Sequence, residues 1–319
     1  MSKDIQISIP LPEYSNEQAP MLTDPIYRID GQGIRYYYQF NGDDIVFAES
    51  VTSIIRETLV KGYGLEKWQA DMGYDEARAY MMKAAAYGTT MHILCGKLLQ
   101  GIAFDLDGDE IEQALYAQAE IDNVEYDPAW PAEMKKDLIA FVKWMKDYNV
   151  TPIVIEQVLM YDRVGGAVDL ICELDLCDRY KSGPKMHQPK PGAEITRTRV
   201  MVDFKSGRKG FYESHEIQLH AYREMWNALF PDDRLELLFN WSPKEWRTAP
   251  AYAFKDQTYS DNAVKWPILK QLAFVKGNPH PRDIIITEGI LDPNTGDYEQ
   301  NVRIISIEDY IKQNHGEES

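Results

Sequence analysis

At Thr151 the texture of the chain changes, and that change limits what it can fold into. Before it, apolar residues recur at helical spacing. Ser50 or Thr52 is placed to cap a short helix running to residue 59. Further helices are predicted at 64–72, 75–100, 109–121 and 131–148, the last with Pro131 at its first position. After Thr151, short apolar runs take over. Strands are predicted at 153–160 and 167–176 around a turn at Asp162-Arg163-Val164-Gly165, and again at 200–204, 235–240 and 251–254. Helices are predicted at 213–230 and 261–275, and a hairpin joins 283–287 to 302–306 around residues 292–297. Residues 1–30 read as an irregular arm, and 33–48 has strand character with a turn at Asn41-Gly42. Helices first, then strands with a helix between them, describe an α/β fold: a central mixed sheet flanked by helices, with an N-terminal helical region. One domain of 1–319 is expected, divided into an arm with strands (1–49), the helical region (50–148), a core (149–260) and a C-terminal helix and hairpin (261–319).

Composition narrows the class. With 37 aromatic residues in 319 the chain is too rich in rings for disorder. No apolar run approaches the roughly 18 residues of a membrane span, so no membrane partner is expected. Met1 to Tyr14 holds no basic start followed by an apolar stretch, and three cysteines (Cys95, Cys172, Cys177) cannot form an even disulfide set. A reducing, cytoplasmic setting is expected. The net charge of −17 taken alone argues against nucleic acid as a partner. The average hides a reversal, however: Arg179 to Lys209 holds nine bases and two acids. That stretch is either a solvated basic loop or a cationic strip beside a site for something anionic.

Four features carry chemistry. Gly88 and His92 lie one turn apart on one face of a predicted helix, where a small residue allows close approach. Glu156 and Asp169 sit in neighbouring apolar strands, where a buried carboxylate is costly unless it is paired or binds metal. Asp203 and Lys205 end a third apolar strand; with a period of two they point to one side, where acid and amine can hold a cation and orient a water. The blander reading of that pair is a surface ion pair of little worth. Gln218 and Tyr222 are four apart on the following helix and share a face.

Singly each signal is weak, but their order is specific. His on a helix, Glu-x12-Asp across a hairpin, Asp-x-Lys on a strand and Gln-x-x-x-Tyr on a helix resemble the PD-(D/E)xK nuclease superfamily. The order G-x-x-x-H, G-x-x-D, D-x-K-S-G and Q-x-x-x-Y matches its RecB-type branch. Ser50-Val51-Thr52-Ser53-Ile54-Ile55, with Leu65-Glu66-Lys67-Trp68 after it, resembles the opening of phage exonucleases and of the mitochondrial genome maintenance exonuclease. The likeness spans residues 50–225.

The resemblance implies a restriction-endonuclease-like core and a metal-dependent DNA exonuclease. A single-stranded end is the favoured substrate, in phage-type processing, replication or recombination. Resection of double-strand ends and a non-catalytic nucleic-acid-binding module are the alternatives. By the same resemblance His92, Asp169 and Asp203 are ligands of Mg²⁺ or Mn²⁺, with the Phe204 carbonyl as a further oxygen. Lys205 positions or helps deprotonate the attacking water, and Glu156 is a supporting acid. Gln218 and Tyr222 brace the site or contact the DNA backbone, and Ser206, Arg208 and Lys209 join them in substrate binding. A recombination or replication protein is a further expected partner, and a phage-encoded chain would work in the host cytoplasm. Some relatives carry four cysteines for an iron–sulfur cluster; with three here, no cluster is expected. The 34 residues from Asp169 to Asp203 exceed what a hairpin needs. The excess is the basic loop at 181–199, which either guides a strand to the site or is disordered.

Overall fold

The computed structural model describes residues 5–8, 14–15, 22, 24–31, 34–183, 185–208, 210–291 and 298–315. Its elements follow the predicted order. Strands β1 (Ile5–Ser8), β2 (Tyr14–Ser15), β3 (Tyr27–Gly31), β4 (Ile34–Asn41) and β5 (Asp44–Ser50) precede five helices: α1 (Val51–Thr58), α2 (Tyr63–Met72), α3 (Tyr74–Leu99), α4 (Glu110–Ile121) and α5 (Trp130–Asp147). Then come β6 (Thr151–Tyr161), β7 (Val164–Leu176), β8 (Thr196–Phe204), α6 (Glu213–Leu229), β9 (Leu237–Pro243), β10 (Tyr252–Asp256) and α7 (Lys265–Phe274), entered through a 3₁₀ turn at Asp261–Val264. Strands β11 (Ile284–Leu291) and β12 (Tyr298–Ile305) form a separate antiparallel pair, and α8 (Ile307–His315) follows. The turn expected at 292–297 lies outside the described residues. Among the described residues, no helix is long and apolar enough to cross a membrane.

One expectation is corrected. Residues 1–30 are not only an irregular arm: β1 and β3 extend the sheet through β4, and β2 pairs with β6. Scattered Pro and Asn hid short runs whose partners are about 20 or more residues away, β3 for β1 and β6 for β2.

The sheet runs β1-β3-β4-β5-β7-β8-β9-β10 and is mixed, with β5–β7 and β8–β9 parallel. β7 is its hub. β6 covers one edge of it from Val164 to Glu173. The other edge is shared: β5 pairs with Val164 and Gly165, and β8 pairs with Leu170 to Leu176. Between these two stretches, at 166–169, that edge has no ladder partner among the described residues.

Two apolar clusters cover the two faces. One joins α3, α4 and α5 to Leu170, Cys172, Leu174, Val200, Val202, Phe204, Phe239 and Trp241. The other joins α1, α6 and α7 to Ile153, Val168, Ile171, Met201 and Leu238. Strand β8 shows how sequence makes the layers. Val200, Val202 and Phe204 face α5, Met201 faces α6, and the period of two carries Asp203 to the α6 side. Each large side chain so buried contributes about 1.5–3 kcal/mol.

Candidate functional site

The site forms where β7 and β8 part. Their ladder stops at Leu170–Val202. One step further, the Phe204 N–H donates to Asp169 Oδ2 at 2.6 Å, so a side-chain carboxylate replaces the carbonyl acceptor of a strand ladder. Phe204 is fixed from behind: its ring packs edge-on against Phe141 and Trp241, at 5.1 and 6.1 Å between centroids. Its carbonyl lies 3.1 Å from His92 Nε2. One anchored residue thus orients both an acid and an imidazole.

His92 reaches the site from α3. Its Nδ1 lies 3.5 Å from Asp169 Oδ1 and 3.8 Å from Glu156 Oε1. The packing of α3 also explains Gly88, one turn earlier. A Cβ there would stand 3.0 Å from Ser206 Oγ, so the close approach is to a side chain of the segment after β8. Glu156 faces the site from β6 with φ of +56°, in the left-handed region, although it lies inside a strand. Such a conformation costs about 1–3 kcal/mol and persists only where the surroundings enforce it.

On the α6 side, Lys205 Nζ lies 3.0 Å from Asp203 Oδ1, 2.9 Å from Asp203 Oδ2 and 2.9 Å from Gln218 Oε1. Gln218 Nε2 donates to the Tyr222 hydroxyl at 2.7 Å. The strand alternation and the helical i,i+4 spacing both hold. Gly166 explains the remaining small residue: a Cβ there would lie 2.5 Å from the Tyr222 ring.

Charge follows from this packing. Burial pushes His92 down, but Asp169 and then Glu156 outweigh it and hold the imidazole well above its ordinary value. Burial raises Glu156. Burial also pushes Asp203 up, to about 6, against the opposing pull of Lys205. Asp169, despite burial, is lowered by His92, Lys205 and the Phe204 N–H. Three acids against one lysine and one histidine leave a site that favours added positive charge.

His92, Glu156 and Asp169 each offer a ligand atom within 4.8 Å of the others. Cis ligands of a small octahedral cation stand about 3 Å apart, so the set needs little closing. Two carboxylates with one imidazole suit a hard divalent cation. Asp203 lies outside that trio, and its carboxylate is engaged by Lys205 and by Asn240 Nδ2, at 2.7 Å. The structure thus groups His92, Asp169 and Glu156 and pairs Asp203 with Lys205, with Phe204 between the trio and the pair.

Apart from Lys205, the arginines of the basic stretch are engaged elsewhere. The Arg208 guanidinium bonds the buried Asp137, whose Oδ2 also accepts from Tyr87, and contacts Glu133 and Glu245. A buried carboxylate needs such a partner. Lys209 lies outside the described residues. Arg179 stacks on Tyr148 and bonds two backbone carbonyls, Lys190 pairs with Asp178, Arg197 with Asp175, and Arg199 with Asp233. The loop between β7 and β8 is ordered by turns and by His187, which stacks on Tyr252 at 4.2 Å. It also sits at the far end of β8, about 26 Å from Phe204 at a strand's rise per residue. The described residues of the loop are thus folded and stand at the other end of β8 from Lys205.

Sequence reasoning missed Asn240 and Gln257. Asn240 is fully buried on β9, opposite Asp203 in the register, and its Oδ1 accepts from Gln257 Nε2 at 3.1 Å. The available signal was a polar side chain inside Leu237-Leu238-Phe239-Asn240-Trp241. No protein-family model matches the chain, and no curated protein matches it significantly.

Proposed function

We propose that the chain is a divalent-metal-dependent deoxyribonuclease, an exonuclease that takes single-stranded ends in phage-type DNA processing, replication or recombination. The observation supporting this reading is a convergence. Residues spread from 92 to 222 meet at the parted ends of β7 and β8, with a lysine paired to one of three acids. His92, Glu156 and Asp169 would hold a cation of the Mg²⁺ or Mn²⁺ kind, which when bound would supply Lewis-acid polarisation and a more acidic water.

The chain's own groups do the rest. Phe204 fixes Asp169 through its N–H and turns its carbonyl toward His92. Lys205 carries the positive charge that offsets the anionic charge developing on a phosphodiester under attack. Asp203 and Gln218 hold that ammonium in place, and Tyr222 holds Gln218. Asp203 is buried and Lys205 half-buried, so water screens this electrostatic action less than at the surface.

A cleavage assay with Mg²⁺ or Mn²⁺ tests the reading on end-labelled linear single strands, linear duplex and closed circles. Loss of linear single strands alone is expected, abolished by EDTA and reduced about 10²–10³-fold by Lys205→Ala. Cutting of circles would make the protein an endonuclease, and loss of duplex ends a resecting exonuclease. No turnover on any substrate, with Mn²⁺ bound, would make it a binding module.

A further inference from the structure

A buried polar chain leads from Asp203 through the sheet. Asn240 Nδ2 donates to Asp203 Oδ2 at 2.7 Å, and Gln257 Nε2 donates to Asn240 Oδ1 at 3.1 Å. Gln257 is pinned through its backbone: its N–H donates to Leu238 O at 2.8 Å, and its carbonyl lies 3.1 Å from His220 Nε2. The other ring nitrogen of His220 faces Arg223 Nη2 at 3.1 Å. An arginine can only donate, so His220 Nδ1 accepts and its Nε2 carries the hydrogen. Burial together with Arg223 lowers His220, which agrees with a neutral ring.

Every bond in the chain therefore runs one way, from Arg223 toward Asp203. The orientation of each amide is forced. A carboxylate accepts only, so Asn240 must turn its NH₂ to Asp203; its carbonyl then needs a donor, which Gln257 provides. Asp203, Asn240, Gln257 and His220 are all at most 4% exposed. A buried asparagine between Phe239 and Trp241 costs stability unless its polar atoms are matched, and here both are. The consequence falls on Asp203. Its Oδ2 accepts from Asn240 and its Oδ1 accepts from Lys205, whose ammonium also lies 2.9 Å from Oδ2.

We propose that Asn240, oriented by Gln257, is a positioning residue that fixes the Asp203 carboxylate, and with it the negative charge and the Lys205 contact that Asp203 supplies beside the cation trio. This rests on the nuclease reading for its kinetic consequence, but not for its effect on cation binding.

Three variants of the full-length chain test it: Asn240→Leu, Gln257→Met and Gln257→Glu. A glutamate in place of Gln257, once ionised above its raised pKa, cannot donate to the Asn240 carbonyl and competes with Asp203 for the Asn240 NH₂, so the Gln257→Glu variant is compared at a pH where it is ionised. A methionine there leaves Asn240 free to keep donating. Calorimetric Mn²⁺ affinity and single-turnover cleavage are measured for each, with melting temperature as the folding control. Asn240→Leu and Gln257→Glu should weaken Mn²⁺ binding and slow turnover by about 10–100-fold with DNA affinity kept, and Gln257→Met by only a few-fold. Equal effects of the two Gln257 variants, or wild-type Mn²⁺ affinity in Asn240→Leu, would overturn the proposal. Should Asn240→Leu not fold, the two Gln257 variants decide alone. A wild-type chain that cleaves nothing, with Mn²⁺ still bound more tightly by Gln257→Met than by Gln257→Glu, would sink the nuclease reading and support the positioning role.

Discussion

Glu156 holds a backbone conformation that a non-glycine residue adopts at a cost of about 1–3 kcal/mol, and it places its carboxylate beside Asp169 and His92. Glycine there would relieve the strain and remove one of three crowded acids, less the larger entropy glycine loses on folding. Glu156→Gly should therefore raise the melting temperature of the cation-free protein by about 1–3 °C. The same change should shrink the stabilisation by Mn²⁺, which in the wild type grows with the logarithm of cation concentration over its dissociation constant. Scanning calorimetry with and without Mn²⁺ reads both effects, and a lowered cation-free melting temperature would contradict the strain argument. At Gly166 the limit is space. A Cβ would collide with the Tyr222 ring, which holds Gln218 and through it Lys205. Gly166→Ala should cost about 1–3 kcal/mol in urea unfolding and reduce cleavage as well. Tyr222→Phe, which removes the hydroxyl but keeps the ring, should reduce cleavage with little loss of stability.

Helix α6 carries Gln218 and Tyr222, and its first turn is closed by a reciprocal cap. The Tyr212 N–H donates to His215 Nδ1 at 3.3 Å. Only the neutral imidazole can accept that bond. Burial, with Lys205 nearby, pushes His215 down from 6.5 to about 3. The folded state thus resists a proton that the unfolded chain accepts. The stability His215 contributes is fully present above pH 6.5 and is lost as the pH falls from there toward 3. His215→Gln keeps an acceptor without the titration. Its melting temperature should rise progressively relative to the wild type as the pH is lowered from about 6.5 to about 4, measured by fluorimetry across a pH series. Parallel curves would show that the cap does not titrate. At this scale the sequence was most readable. The predicted helices at 75–100, 109–121 and 131–148 match α3, α4 and α5 within a residue, because apolar periodicity and the Pro131 start are local signals. β8 begins at Thr196, four residues before its predicted start, because polar Thr196 to Arg199 pair with β7 through backbone bonds that no side chain announces.

Across the whole molecule, the basic stretch shows how far charge arithmetic misleads when partners are unknown. Its arginines are spent on Asp175, Asp233, Asp137 and the Tyr148 ring, and its loop is clasped at the opposite end of β8 from Lys205. Replacing residues 181–194 by a short Gly-Ser turn should leave single-strand cleavage within about twofold. It should lower the melting temperature, since the His187–Tyr252 stack is lost. A large loss of DNA binding in that variant would restore the loop to the substrate path. Legible in the chain itself were the order of elements, the side of β8 shared by Asp203 and Lys205, the pairing of Gln218 with Tyr222, and the small residues at 88 and 166. These follow from periods of two and 3.6 and from the absence of a Cβ, all local properties. Folding alone settled which acid joins His92, which base pairs with which carboxylate, and that Asn240 stands beneath Asp203. Those depend on strand order and register, with Asp203 and Asn240 brought level by a parallel pair that closes across α6. The period of two fixes the face on which a side chain lies, but only the fold fixes the neighbour it meets there.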